Sequence, residues 1–459
     1  MTSGSVKPPR LLYIAFYFPP SRASGVYRAR ATANHFAAAG WDVTVFAAPL
    51  RFLYQVIGSV DEKLSETVDP RIKVERPELD LSRWENELHN LSWLSATFPE
   101  SAKKLRQWRE DRYFPEVYAS WARDSVAKAL RMHKTEKFDV VLATGNPFAA
   151  FAAAWEINKK TGVPYVVDYR DSWTLDLFND EPAFPPEHSA WRWEKQIIGG
   201  ASATVFVNNA LLAWHADRYP RSADRMHVVP NGWDPDLLTV SVGDDAAQPD
   251  RPLRFGFLGT ITSKQPVVEM AEAFRQAREH PELHDAELNI HGHLGFFKQS
   301  HDVFLPLLGL NANGDPDPES DHGLRLRGPV SKTEVAGVYE HNDVLVFLAA
   351  GGKYVTSGKI FEYMAAGKPI VSVHAPDIAA REVLEGYPLW FTADSLDPGQ
   401  VAKSMLDAGR AARALTPQQR AEAVAYADRF QRDKLLAPLE KVIRGLAGRP
   451  VPESESVNE

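Results

Sequence analysis

Short, nearly continuous apolar runs recur along this chain at intervals that a helix can bridge, and this alternation constrains the fold more than any other feature. Runs rich in Val, Ile and Phe begin at Leu11 (LLYIAFYF), Asp42 (DVTVFAA), Ile72 (IKVE), Asp139 (DVVLAT), Pro164 (PYVVDY), Ala203 (ATVFVN) and Met226 (MHVVP). Runs of this kind suit strands covered on both faces, and strands alternating with helices build parallel α/β sheets. From Asp234 to Pro252 the chain turns polar and rich in Asp and Pro (DPDLLTVSVGDDAAQPDRP), as an interdomain linker does. A second series follows at Leu253 (LRFGFLG), Glu287 (ELNIHG), Leu324 (LRLRG), Val344 (VLVFL) and Pro369 (PIVSV). The expected organisation is a Rossmann-like domain over 1–238, a linker over 239–252 and a second Rossmann-like domain over 253–428. A helix over 429–448 is expected to cross back to the first domain, and a polar tail over 449–459 to be disordered. Open parallel sheets bind ligands at the carboxyl ends of their strands, so a cleft between two such domains is the expected active site.

Composition narrows the function classes. The 459 residues include no cysteine, which excludes disulfides and thiolate metal sites. A net charge of −8 argues against nucleic acid as the main partner. The longest apolar stretches fall short of the ~18 residues a membrane span needs, and no signal-peptide pattern opens the chain, so a cytoplasmic protein is expected. His291 and His293 are the only close histidine pair, and no third ligand lies near them in sequence; a turn at a strand end is the simpler reading, and no metal is expected. Near the C-terminus, Thr416-Pro417 reads as a helix N-cap followed by proline at the first helical position, with an apolar pattern resuming through Phe430, Leu435, Leu439 and Ile443.

The most informative stretch is YVTSGKIFEYMAAGKPIV, Tyr354 to Val371. Ser357 and Gly358 can end a loop and open a helix, in which Ile360, Tyr363 and Met364 form one apolar face. Gly367 supplies a left-handed stop, followed by Pro369. A helix start offers free N–H groups and about half a positive charge, which attract a diphosphate. Gly358 would allow close approach, Lys359 would add a point charge, and Glu362 would be placed to accept from ribose hydroxyls. A plain strand-to-helix turn with Glu362 on a solvated face is the alternative.

This segment resembles the donor-binding signature of retaining glycosyltransferases of family four, which adopt the two-domain GT-B fold. FYFPPSRASGVYRA from Phe16 resembles that family's first glycine-rich loop, with Gly25 and Arg28 in place; VVDYRDSWT from Val166 carries Asp168, Arg170 and Asp171; MHVVPNGWD and FGFLGTITSK follow in family order. The resemblance implies a nucleotide-diphosphate sugar as co-substrate, no metal or other cofactor, and an acceptor that is a sugar or a lipid-linked sugar in cell-surface polysaccharide or glycolipid synthesis. It further implies donor contacts at Gly25, Gly259, Thr260, Lys264, Arg327, Gly328, Ser357, Gly358, Lys359, Ile360 and Glu362, and acceptor contacts at Arg28, Asp168 and Asp171. Under retention a donor phosphate oxygen takes the acceptor proton, and Lys264, Lys359 and the helix start stabilise the leaving diphosphate. Under inversion Asp171, beside Arg170, is the candidate base. Two positions depart from the family pattern, Tyr354 in place of a frequent glutamate and Thr260 in place of a frequent arginine. They motivate the alternative of a catalytically silent donor-binding partner; a sugar-nucleotide epimerase sharing the GT-B architecture is a second alternative, although the acid/base carboxylate and histidine motifs it needs are not seen.

Residues 101–137 hold ten Lys and Arg against five acidic residues, a net +5 in an acidic protein, with Trp108 and Trp121 inside and Trp84 and Trp93 just before. Such a segment could rest on an anionic membrane at the inner face of the cell membrane, or be a helical hairpin covering the first sheet with its charges solvated.

Overall fold

The computed structural model describes residues 7–84, 97, 101, 104, 113–239, 251–295, 299–316, 321–349 and 352–448. The polar run 240–250, the tail from 449, Trp93 and Trp108 lie outside the described residues. The chain packs as two compact units. One comprises Met1–Asp176, Asp180–Val229 and Arg432–Glu459, and the other Leu177–Asn179 and Pro230–Gln431.

The first unit is a seven-stranded parallel sheet of β1 (Arg10–Ile14), β2 (Asp42–Phe46), β3 (Lys73–Glu75), β4 (Val140–Gly145), β5 (Tyr165–Tyr169), β8 (Ala203–Phe206) and β9 (Met226–Val228), in the order β3-β2-β1-β4-β5-β8-β9. A short antiparallel ribbon, β6 (Leu175–Asp176) with β7 (Glu181–Pro182), hangs from the loop after β5. The seven runs legible in the sequence are these seven strands, and β1, β4 and β5 are buried along their whole length, as strands covered on both faces must be. The LLYIAFYF run is strand only to Ile14; Phe16 and Phe18 continue as buried loop.

Within the basic segment, Ala119–Thr135 form a helix. Trp121 is fully buried, its ring edge-on to Phe16 and its Nε1 donating to the Ala47 carbonyl at 3.2 Å. It is a core anchor, so it is not available to a membrane.

The C-terminal helix Arg432–Leu446 belongs to this unit. Leu436, Leu439 and Ile443 enter its core, and Glu440 accepts from Trp41 Nε1 and from Arg444 Nε, both at 2.7 Å. The apolar pattern from Phe430 does not form one helix. Phe430 sits in the break between Pro417–Asp428 and Arg432–Leu446, where its carbonyl accepts from Trp233 N at 3.0 Å. With Trp233 Nε1 also bonded to the Ala427 carbonyl at 2.9 Å, residues from Pro230 onward pack with the second unit, ahead of the polar run.

The second unit is a six-stranded parallel sheet of β10 (Arg254–Leu258), β11 (Glu287–His291), β12 (Leu324–Leu326), β13 (Val344–Leu348), β14 (Ile370–Val373) and β15 (Trp390–Thr392), in the order β12-β11-β10-β13-β14-β15. Phe255, Phe257, Leu288 and Ile290 pack on one face, while Leu258, Leu345 and Phe347 face the helices Val335–His341 and Lys359–Ala365 on the other. Thr416 caps the helix with Pro417 at its first position, as expected, and also closes a capping box with Gln419. In both sheets the order reverses beside the first strand of the unit, β1 or β10, which is the switch point where such sheets leave a crevice at their carboxyl ends. Among the described residues no helix is long and apolar enough to cross a membrane.

Candidate functional site

In the first unit, the switch-point loop leaves β1 and enters the helix Val26–Ala38 at Gly25. The Arg170 guanidinium lies across Gly25, where any side chain would overlap it. Arg170 is held there by its Nε on Thr144 Oγ1 (3.2 Å) and its Nη2 on the Asn146 carbonyl (2.7 Å), both at the end of β4. Asp171 follows it, half-buried and with no hydrogen bond among the described residues. Burial raises its carboxyl above the usual range while Arg170 pulls the other way.

Arg28 and Asp168 depart from the expectation that they face an acceptor. They form a bidentate pair, Nε to Oδ2 at 2.9 Å and Nη2 to Oδ1 at 2.7 Å, with each side chain about 95% buried. Arg28 Nη1 also donates to the Val229 carbonyl at 3.0 Å, and Thr144 Oγ1 to Asp168 at 3.1 Å. Both charges are used internally, tying β5 and the chain after β9 to the helix Val26–Ala38.

In the second unit, the ends of β10 and β11 meet through glycines. Gly259 (φ 153°) and Gly292 (φ 150°) adopt a backbone that disfavours side chains, and a side chain on Gly292 would overlap the Gly259 carbonyl. Gly259 N donates to the His291 carbonyl at 2.8 Å. The ammonium of Lys359 rests over Gly259, so a side chain there would displace it. Among the described residues no acceptor is hydrogen-bonded to that ammonium, and desolvation lowers its pKa from the ordinary lysine value.

Lys359 opens the helix Lys359–Ala365, whose N-cap, Gly358, contributes no side-chain bond. Ser357 Oγ accepts weakly from Lys359 N at 3.4 Å. Gly367 follows with φ 64°, the expected left-handed stop. Ile360, expected among the donor contacts, is a core side chain with no exposure, so only its backbone could serve a ligand.

The remaining expected donor residues are spread along the same sheet edge. Thr260 is half-buried in the loop after Gly259. Lys264 Nζ stands 3.8 Å over the Phe178 ring, both residues counting with the second unit. Arg327 Nε donates to Asn289 Oδ1 at 2.7 Å, and Gly328 follows with φ 75°. Glu362 is not on a merely solvated face: Oε1 pairs with Lys332, and Oε2 accepts from Tyr339 at 2.8 Å. Neither partner was singled out from the sequence, although Ser331 and Glu334 form a capping box that places Lys332 at a helix start.

β11 ends at His291, which is buried, while His293 is exposed beyond Gly292, in line with the turn reading. Desolvation, then Arg327 and His341, lowers the His291 pKa to about 4. Among the described residues no group of three acidic or histidine side chains is disposed to hold a metal.

Residues 25–232 match the glycosyl transferase 4-like domain family. No curated protein sequence matches the chain. Among solved structures, a glycosyltransferase from Rickettsia africae ESF-5 superposes with a TM-score of 0.64 at 12% identity, covering 96% of this chain and 99% of that one. Sucrose-phosphate synthase from Thermosynechococcus elongatus gives 0.63 at 14% identity over 96% and 99%. Anabaena HepE, solved in complex with UDP, gives 0.57 at 13% identity over 95% and 100%. At these identities the likeness shows the fold, and that fold is GT-B, with two Rossmann-like domains.

Proposed function

We propose that the chain is a family 4-like glycosyltransferase that moves a sugar from a nucleoside-diphosphate donor to an acceptor hydroxyl, with retention and without a metal. The observation that carries this reading is the Lys359 ammonium, held over Gly259 at the start of the helix and without a hydrogen-bonded acceptor among the described residues. A cation desolvated in that way is costly unless an anion arrives to share it, and a diphosphate supplies one. HepE is described with UDP and with UDP-glucose, which supports a nucleotide sugar as the donor class here.

In this reading Lys359 and the partial positive charge of the helix start stabilise the charge that develops on the leaving diphosphate. Lys264 swings from the Phe178 ring to add a second cation. The acceptor proton passes to a donor phosphate oxygen, and Asp171 with Arg170 orients the acceptor hydroxyl. An acceptor for cell-surface polysaccharide or glycolipid synthesis, met at the inner membrane face, suits the family; flotation with anionic liposomes tests the membrane part.

The first experiment is thermal shift against UDP, GDP, ADP, TDP and CMP, each with magnesium and with EDTA. A ligand at 100 times its Kd adds about 2.7 kcal/mol, so one diphosphate should raise the Tm equally in both conditions. A shift that needs magnesium overturns the metal-free part, and no shift with any of them overturns the donor site.

A further inference from the structure

Glu362 is gripped from two separate elements before any ligand is present. Lys332 reaches it from the short 3-10 turn Lys332–Glu334, whose backbone is fixed by the reciprocal capping of Ser331 and Glu334. Tyr339 reaches it from the helix Val335–His341. Tyr339 is 1% exposed and lies edge-on to Tyr363 at 5.3 Å, while Tyr363 Oη accepts from Leu258 N at 3.0 Å, one residue before Gly259. A buried pair of tyrosines therefore ties the carboxylate to the glycine turn under Lys359.

The two grips divide evenly. Lys332 takes Oε1 and Tyr339 takes Oε2, and no other donor among the described residues reaches the group. An ionised carboxylate offers about two acceptor directions on each oxygen. One direction per oxygen is occupied, which leaves one acceptor direction on each oxygen of a side chain that keeps 15% exposure. Two adjacent acceptors on one rigid group match two adjacent hydroxyls.

Resting on the donor-site reading above, we propose that Lys332 and Tyr339 are positioning residues that lock Glu362 into an acceptor for a vicinal diol, so that the enzyme discriminates ribonucleotide from 2′-deoxyribonucleotide donors. The lock acts through geometry: without it the carboxylate keeps its charge but rotates among rotamers, and the second hydroxyl no longer finds its acceptor.

The test measures dissociation constants by calorimetry for UDP, GDP and ADP and for their 2′-deoxy counterparts, and takes the deoxy-to-ribo ratio. Wild type is expected to give a ratio of about tenfold or more, as loss of a hydrogen bond to a charged acceptor implies. Glu362→Gln should bring it close to one. Tyr339→Phe keeps the ring against Tyr363 and should reduce the ratio severalfold with little change in Tm; Lys332→Met should do the same, with Lys332→Arg restoring it. A purely structural role predicts the opposite pattern, a lowered Tm with an unchanged ratio. If wild type discriminates and Glu362→Gln abolishes this, but both positioning variants keep the wild-type ratio, the proposal falls and the donor site stands. If wild type binds a diphosphate without discriminating, or Glu362→Gln leaves the ratio intact, the ribose assignment falls and takes the proposal with it.

Discussion

The two units carry their charged residues at equivalent places, the carboxyl ends of parallel strands at a switch point, yet they use them in opposite ways. In the first unit Arg28 and Asp168 are spent on each other in a buried bidentate pair, and Arg170 is bonded down onto the end of β4. In the second unit Lys359 stands over a glycine with no bonded acceptor among the described residues, and Lys264 lies over an aromatic ring. The same topology thus builds a preassembled, internally neutral platform in one unit and an unsatisfied cationic socket in the other. A motif residue's charge is therefore no guide to its role until its partner is known: a paired charge maintains shape, and an unpaired one waits for a ligand.

The comparison breaks most visibly at Asp168. Asp168→Ala strands a buried Arg28 and should cost about 3–5 kcal/mol in urea unfolding, while the protein that remains folded binds its nucleoside diphosphate normally. A loss below about 1 kcal/mol would mean that Arg28 escapes to solvent, and the first unit would not be the preassembled one.

The mirror-image variant is Lys359→Met. It removes a desolvated cation and should leave stability unchanged or improved, yet weaken diphosphate binding by about 1.5–3 kcal/mol, the scale of a hydrogen bond to a charged group. Unchanged affinity by calorimetry would end the contrast from the other side.

A smaller effect is expected from Gly25→Ala. Gly25 has helical φ, −74°, so alanine is conformationally allowed, and the nearest atoms its methyl meets belong to the Arg170 guanidinium. Stability should shift by no more than about 1 kcal/mol, while the KM for acceptor rises severalfold and that for donor does not. Equal changes in both would take Arg170 away from the acceptor side.

The shallowest effect is in pH, where burial drives the two units apart. In the first, Glu116 accepts from Phe148 N and Ala149 N at the start of the helix Ala149–Thr161, and burial pushes its carboxyl from 4.5 up to about 7. The folded state then holds a proton that the unfolded chain has released, so stability falls as pH rises from about 4.5 to 7. In the second, Lys368 donates to the Glu340 carbonyl at 2.7 Å and burial lowers its pKa from 10.5 to about 8. There the unfolded chain binds the extra proton, so stability rises between about pH 8 and 10.5. Thermal melts across both windows should lose the first slope in Glu116→Gln and the second in Lys368→Met. Slopes that survive these variants would assign them to other groups.

What the sequence determined by itself is the part governed by local rules. Runs of Val, Ile and Phe marked both series of strands, because a strand buried on both faces has no polar alternation to confuse it. The exception is β15, a half-buried strand at the sheet edge whose Trp390–Thr392 carries neither Val nor Ile. The helix at Lys359 was legible from Ile360, Tyr363, Met364 and Gly367, since periodicity and the left-handed stop lie within a few residues of each other. Tertiary structure alone decided the partners. Arg28 meets Asp168 across 140 residues of chain, and Glu362 meets Tyr339 across 23 and Lys332 across 30. Such pairings follow from which strands lie side by side and how their helices pack, and local chain stiffness carries no information over those separations. The sequence could therefore say which residues reach the strand ends, but only the fold could say which of them arrive already paired.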